Sequence, residues 1–179
     1  TERFLATFAF SPQALWQGYE LAPGFNVPAT RTLTLQPGVI VANAYNAELR
    51  VYGQLKAVGT LAQPITLTAA IESDANGWPG LLFDGAAASG DLRYVTLEQA
   101  GSGYGNAISG NCDALAVRAV LTQEIRLENS HIQNFDGWCP DNGVYLDNGR
   151  IAINATRFAN IGDDANGDFA VRVKGAGSV

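Results

Sequence analysis

The stretches Leu127-Glu128-Asn129-Ser130-His131-Ile132-Gln133-Asn134 and Ile153-Asn154-Ala155-Thr156-Arg157-Phe158-Ala159-Asn160 share one pattern, 26 residues apart. Leu92-Arg93-Tyr94-Val95-Thr96-Leu97-Glu98-Gln99 fits the same frame 35 residues before Leu127, with the extra residues falling in the Gly-rich stretch from Gly101 to Gly110. Val144-Tyr145-Leu146 precedes Val171-Arg172-Val173 by 27 residues. Each unit is built from apolar–any–apolar triplets, and Gly, Asn or Asp ends each one. Such triplets are period-2 signals of short strands. A repeat of roughly 26 residues holding about three short strands is one coil of a parallel β-solenoid.

One coil cannot bury its own inward side chains. Stacked at strand spacing, about 4.8 Å, successive coils bury a continuous column. The aligned repeats put Leu97, Ile132 and Phe158 in one inward column and Thr96, His131 and Arg157 in the outward column beside it. Gln99, Asn134 and Asn160 fall at one turn, where an amide ladder satisfies backbone groups along the axis. The same triplets run back through Ile125-Arg126-Leu127, Leu81-Leu82-Phe83, Ile65-Thr66-Leu67 and Leu49-Arg50-Val51 to Leu33-Thr34-Leu35. The expected fold is all-β, with about five or six coils.

Composition agrees. The 179 residues are 47% hydrophobic, enough for a core, and carry a net charge of −6. No apolar run approaches the ~18 residues of a membrane span. An acidic chain whose only lysines are Lys56 and Lys174 lacks the basic stripe that nucleic acid requires. Before Leu33 the pattern lapses: Phe4, Phe8, Phe10, Trp16 and Tyr19 are punctuated by Pro12, Pro23 and Pro28. The expected organisation is an irregular segment over residues 1–32, a cap or docking arm, followed by coils over residues 33–179. The last triplet lies close to Val179, so either further coils or another subunit is expected to cover that end.

Leu33-Thr34-Leu35-Gln36-Pro37-Gly38-Val39-Ile40-Val41, Leu49 to Thr60, Gln63 to Ala69 and the Glu128 to Asn134 repeat resemble the right-handed parallel β-helix proteins of pectate-lyase-like architecture found among secreted bacterial proteins. The resemblance runs from Leu33 onward. It implies a right-handed β-helix and an extracellular or cell-surface setting. It implies no single activity, because that architecture carries lyases, hydrolases, adhesins and scaffolds.

Several residues are candidates for chemistry. Cys112 and Cys139 lie about one coil apart, shortly before the equivalent Leu115 and Val144, which brings them within reach of a disulfide; two buried thiols are the alternative. Asp163, Asp164, Asn166 and Asp168 share one loop, and the alternate oxygens of Asp164, Asn166 and Asp168 have a spacing that wraps calcium. Phe169 stands where a calcium loop needs Gly, and Asp-Ala-Asn-Gly recurs at Asp74 to Gly77, so turn chemistry is the other reading. Trp78, Trp138 and Tyr145 are candidates for a sugar-stacking surface, or else anchors that fasten loops to the core. Arg93, Arg126, Arg157 and Arg172 are outward candidates for the base of a lyase. His131 is the only histidine, too little for a zinc site or a Ser–His–Asp triad. Asn154-Ala155-Thr156 is a glycosylation sequon.

No catalytic constellation emerges. The expected function is therefore a non-enzymatic extracellular or surface module: a scaffold, an adhesin, or a subunit that assembles head to tail with itself. The rival is the N-terminal part of a carbohydrate-active enzyme acting on an extracellular polysaccharide, with calcium as its one candidate cofactor.

Overall fold

A computed structural model describes residues 7–10, 18–21, 23–43, 47–70, 77–100, 110, 112–120, 123–135, 141–162, 167–175 and 179. The described residues form strands and turns, and among them no helix is long and apolar enough to cross a membrane. The first coil is β1 (Thr7–Phe10), β2 (Gly18–Leu21) and β3 (Asn26–Val27). The second is β4 (Thr32–Leu35), β5 (Ile40–Asn43) and β6 (Leu49–Val51). The third is β7 (Gln54–Val58), β8 (Ile65–Ala69) and β9 (Leu81–Asp84). The fourth is β10 (Ser89–Arg93), β11 (Val95–Glu98) and β12 (Cys112–Arg118). The fifth is β13 (Ile125–Glu128), β14 (His131–Phe135) and β15 (Asp141–Asp147). The sixth is β16 (Ile151–Asn154), β17 (Arg157–Ile161) and β18 (Phe169–Lys174).

Every third strand pairs, which makes three 6-stranded sheets: β1-β4-β7-β10-β13-β16, β2-β5-β8-β11-β14-β17 and β3-β6-β9-β12-β15-β18. We call them the first, second and third sheets. All pairings between named strands are parallel, so the chain is a parallel β-helix.

The register follows the sequence repeats. Leu92 pairs with Leu127 and Leu127 with Ile153. Leu97 pairs with Ile132, and Ile132 with Phe158. Val144 pairs with Val171. Inward columns such as Leu33–Leu55 and Val51–Phe83–Val117–Leu146 are fully buried and form one continuous core.

The segment before Leu33, expected to be irregular, departs from that expectation. Its described residues supply the first strand of every sheet: Phe8 pairs with Leu33, Tyr19 with Val41, and Asn26 with Arg50. Pro23 and Pro28 lie between its strands, outside the ladders, where the sheet needs no N–H donor.

The corners carry a second regularity. Tyr94, Asn129 and Ala155 turn the first corner at φ 51, 49 and 46°. Gln99, Asn134 and Asn160 turn the second at 54, 60 and 52°. Gly85, Ala119, Asn148 and Gly175 turn the third at 97, 56, 52 and 73°. Left-handed residues sharpen the bend, and Asn tolerates them because its amide bonds locally. Several of these residues hand their N–H to the next coil: Tyr94 to the Glu128 carbonyl at 3.1 Å, Asn129 to Asn154 at 3.1 Å, Ala119 to Asp147 at 3.1 Å and Asn148 to Lys174 at 3.1 Å. The expected amide ladder is present in part. Asn160 Nδ2 donates to Asn134 Oδ1 at 3.0 Å, whereas Gln99 Oε1 accepts from Thr68 Oγ1 at 2.8 Å.

Candidate functional site

The outer faces decide what this helix can do, since the interior is packed with apolar side chains. On the first sheet, Lys56, Asp91 and Arg126 follow one another in register. Arg93 makes two bonds to Asp91, Nε at 2.9 Å and Nη2 at 2.7 Å. That hydrogen bond, and then the Asp91 charge, raise the Arg93 pKa above the ordinary arginine value. A lyase base must give up its proton, and Asp91 does the opposite for Arg93. Arg126 lies between Glu124 at 3.5 Å and Glu128 at 3.7 Å.

The second sheet presents Ile40, Thr66, Thr96, His131 and Arg157 in one column. His131 and Arg157 are exposed, as alternation demands. In the adjoining column Gln133 Nε2 donates to Glu98 Oε2 at 3.1 Å.

The third sheet is different because its strands β9, β12 and β15 are buried on both faces. Leu82, Ala116 and Tyr145 stand in register on its outer face and pack on each other. Tyr145 is 4% exposed, so it offers no ring for sugar stacking. Trp78 is likewise wholly buried in the core, with Nε1 donating to the Glu98 carbonyl at 3.0 Å. Both are anchors, which corrects their reading as a sugar-binding surface. Trp138 lies outside the described residues.

Beside the Leu82 column runs a charged one, formed by the residue that follows each apolar triplet. Asp84, Arg118, Asp147 and Lys174 are in register along four coils and alternate in sign. Arg118 grips Asp84 through Nε at 2.9 Å and Nη2 at 2.7 Å. This hydrogen bond is the main cause of a raised Arg118 pKa, opposed by desolvation. Sequence reasoning passed over this column. Its signal was legible in Phe83-Asp84, Val117-Arg118, Leu146-Asp147 and Val173-Lys174, once the triplets are aligned.

The remaining candidates occupy the start of the third sheet. Cys112 is fully buried and pairs in register with Asp141, two residues beyond Cys139. Cys139 lies outside the described residues, among which no cysteine is a free thiol. Asp168 Oδ1 accepts the Asp141 N–H at 3.1 Å, and Asn142 donates through Nδ2 to buried Asp113. Asp163, Asp164 and Asn166 are outside the described residues. Among the described residues no three His, Cys, Asp or Glu side chains gather to hold a metal.

The final coil is the least covered. On β18, Phe169 is 47% and Val173 48% exposed, and Arg172 lies over the Phe169 ring at 5.6 Å. The first coil contrasts with it: Leu21 and Val27 are buried. Comparison with protein-family models, with curated proteins and with solved structures finds no match.

Proposed function

We propose that this chain is a non-enzymatic structural module of the cell surface or extracellular space, a right-handed β-helix of the pectate-lyase-like type. The observation that carries this reading is how the outer faces use their ionisable groups. Arg93 is spent on Asp91, Arg118 on Asp84, Arg126 on its two flanking glutamates, and Glu98 on Gln133. A site for an acidic polysaccharide needs cations and carboxylates held ready for substrate. Arg93, Arg118 and Arg126 are instead matched with carboxylates in the plane of the sheets, an arrangement that supports a scaffold. The right hand follows the strong preference of parallel crossovers.

The extracellular setting rests on the cysteines. Cys139 precedes by two residues Asp141, the register partner of Cys112, and this spacing supports a disulfide between the two cysteines. A Cys112–Cys139 disulfide bridging the fourth and fifth coils belongs to an oxidising compartment.

The test is a panel of acidic and neutral polysaccharides, with and without calcium, assayed for unsaturated products at 235 nm and for new reducing ends. No turnover on any substrate is expected. Cleavage of even one would replace this reading with the carbohydrate-active enzyme.

A further inference from the structure

Four asparagines precede a glycine: Asn76, Asn142, Asn148 and Asn166. Asn76 and Asn166 lie outside the described residues, and the other two stand in opposite settings. Asn142 is fully buried within β15, in register with Asp113 on one side and Phe169 on the other, and its Nδ2 is held by the Asp113 carboxylate. Asn148 is exposed at the corner between β15 and β16, with a left-handed backbone at φ 52°. Its Nδ2 donates to Asp147 Oδ1 at 3.0 Å, a contact open to water. Gly149 lies between the strands, so its N–H joins no ladder. The exposure belongs to the corner itself, since Ala119, at the same corner one coil earlier, is exposed too.

We propose that Asn148 is a site of spontaneous deamidation, in which the side-chain amide is exchanged for a carboxylate through a cyclic imide with Gly149. The Gly149 nitrogen attacks Asn148 Cγ and forms the new C–N bond. The side-chain nitrogen leaves as ammonia, taking up the proton that Gly149 gives up, and the succinimide closes. Gly149 has no Cβ to crowd that approach. Water, the one co-reactant, then opens the imide at either carbonyl. Opening at Cγ leaves aspartate in an ordinary main chain; opening at the main-chain carbonyl leaves isoaspartate, whose main chain runs through Cβ and Cγ. The corner has no room for that longer chain. A Cβ on Gly149 would already lie 2.8 Å from both Val117 Cγ1 and the Val117 carbonyl oxygen. Either product also sets a carboxylate beside Asp147, where the amide had donated a hydrogen bond. The tie that suffers is the Asn148 N–H bond to the Lys174 carbonyl, at 3.1 Å. Ageing therefore loosens the join between the fifth and sixth coils.

The test is to age the folded full chain at mildly alkaline pH and map residues 142 and 148 by mass spectrometry, with fragmentation that separates aspartate from isoaspartate. Conversion is expected at Asn148, with both products present. Asn142 should convert at least roughly tenfold more slowly, because its strand must open before the imide can form. In the converted fraction, amide exchange protection should fall in β16–β18 and hold in β7–β12. Asn148→Gly keeps the left-handed corner, and it should abolish both the conversion and the loss of protection on ageing. An intact Asn148 in the folded chain, while the urea-unfolded chain converts it, would overturn the proposal by showing that the corner shields the amide. Equal rates at Asn142 and Asn148 would overturn it too. So would the same age-dependent loss of protection in the Asn148→Gly chain.

Discussion

Arg118 reaches back one coil to Asp84 and binds both of its oxygens, Nε to Oδ1 at 2.9 Å and Nη2 to Oδ2 at 2.7 Å. The pair crosses between β12 and β9, so it ties two coils through side chains as well as backbone. Asp84 is the better buried partner, at 11% side-chain exposure against 39% for Arg118. Solvent therefore screens part of the attraction. Asp84→Asn should cost about 1 kcal/mol, and a double-mutant cycle with Arg118→Gln should give a coupling of about 0.5–1 kcal/mol in urea unfolding. A coupling of zero would reduce the column to decoration.

Gly90 shows why the core allows no side chain at one inward position. A Cβ there would lie 2.6 Å from the Phe83 ring and 3.4 Å from Ile125 Cγ2. Gly90 stands in register between Leu55 and Ile125, and the Phe83 ring occupies the space its side chain would take. Gly90→Ala should destabilise by about 1–3 kcal/mol through overpacking. Adding Phe83→Leu should recover part of that loss, which thermal unfolding of the two single variants and the double variant will show.

Asn134 has a left-handed backbone at φ 60° and accepts the Asn160 amide at 3.0 Å. Asn134→Gly keeps the backbone and loses only the exposed amide pair, so it should change stability by roughly 0.5 kcal/mol at most. Asn134→Val forces a β-branched residue into that region and should cost about 2 kcal/mol. Equal effects of the two substitutions would show that the corner conformation is not what Asn134 supplies.

The coils were legible in the sequence because apolar alternation and register are the same fact seen twice. Leu92, Leu127 and Ile153 align by eye and pair in space. The first coil was not legible, since prolines between Thr7–Phe10, Gly18–Leu21 and Asn26–Val27 break the repeat without breaking the stack. Alternation also says which face a side chain takes but not what lies over that face. Tyr145 occupies an outward position, yet the outer face of its sheet is covered, so an expected surface ring is an anchor. Trp78 misled for a related reason. It follows a turn sequence, but a Cβ on Gly77 would lie 2.5 Å from the Gln99 carbonyl oxygen, so the chain is pressed onto the next coil there and the indole goes inward. The candidate site was the least legible part, because ion pairs between coils depend on which residues become neighbours across 30 or so positions of sequence.

The cysteine proposal has its own test. Alkylation of the unfolded, unreduced chain followed by mass spectrometry should find no modified thiol. Cys112→Ser with Cys139→Ser should lower stability by about 3–4 kcal/mol, the value for closing a loop of this size. Two alkylated thiols would return the pair to the alternative of buried free cysteines.

The central claim is a register-stacked parallel β-helix whose three sheets enclose one continuous core. Strand-resolved amide hydrogen exchange on the purified chain addresses it most directly. Strong, similar protection is predicted through β7–β15, whose strands are paired on both sides. Fast exchange throughout β9, β12 and β15 would contradict the account, because their amides would then not be held in ladders between coils.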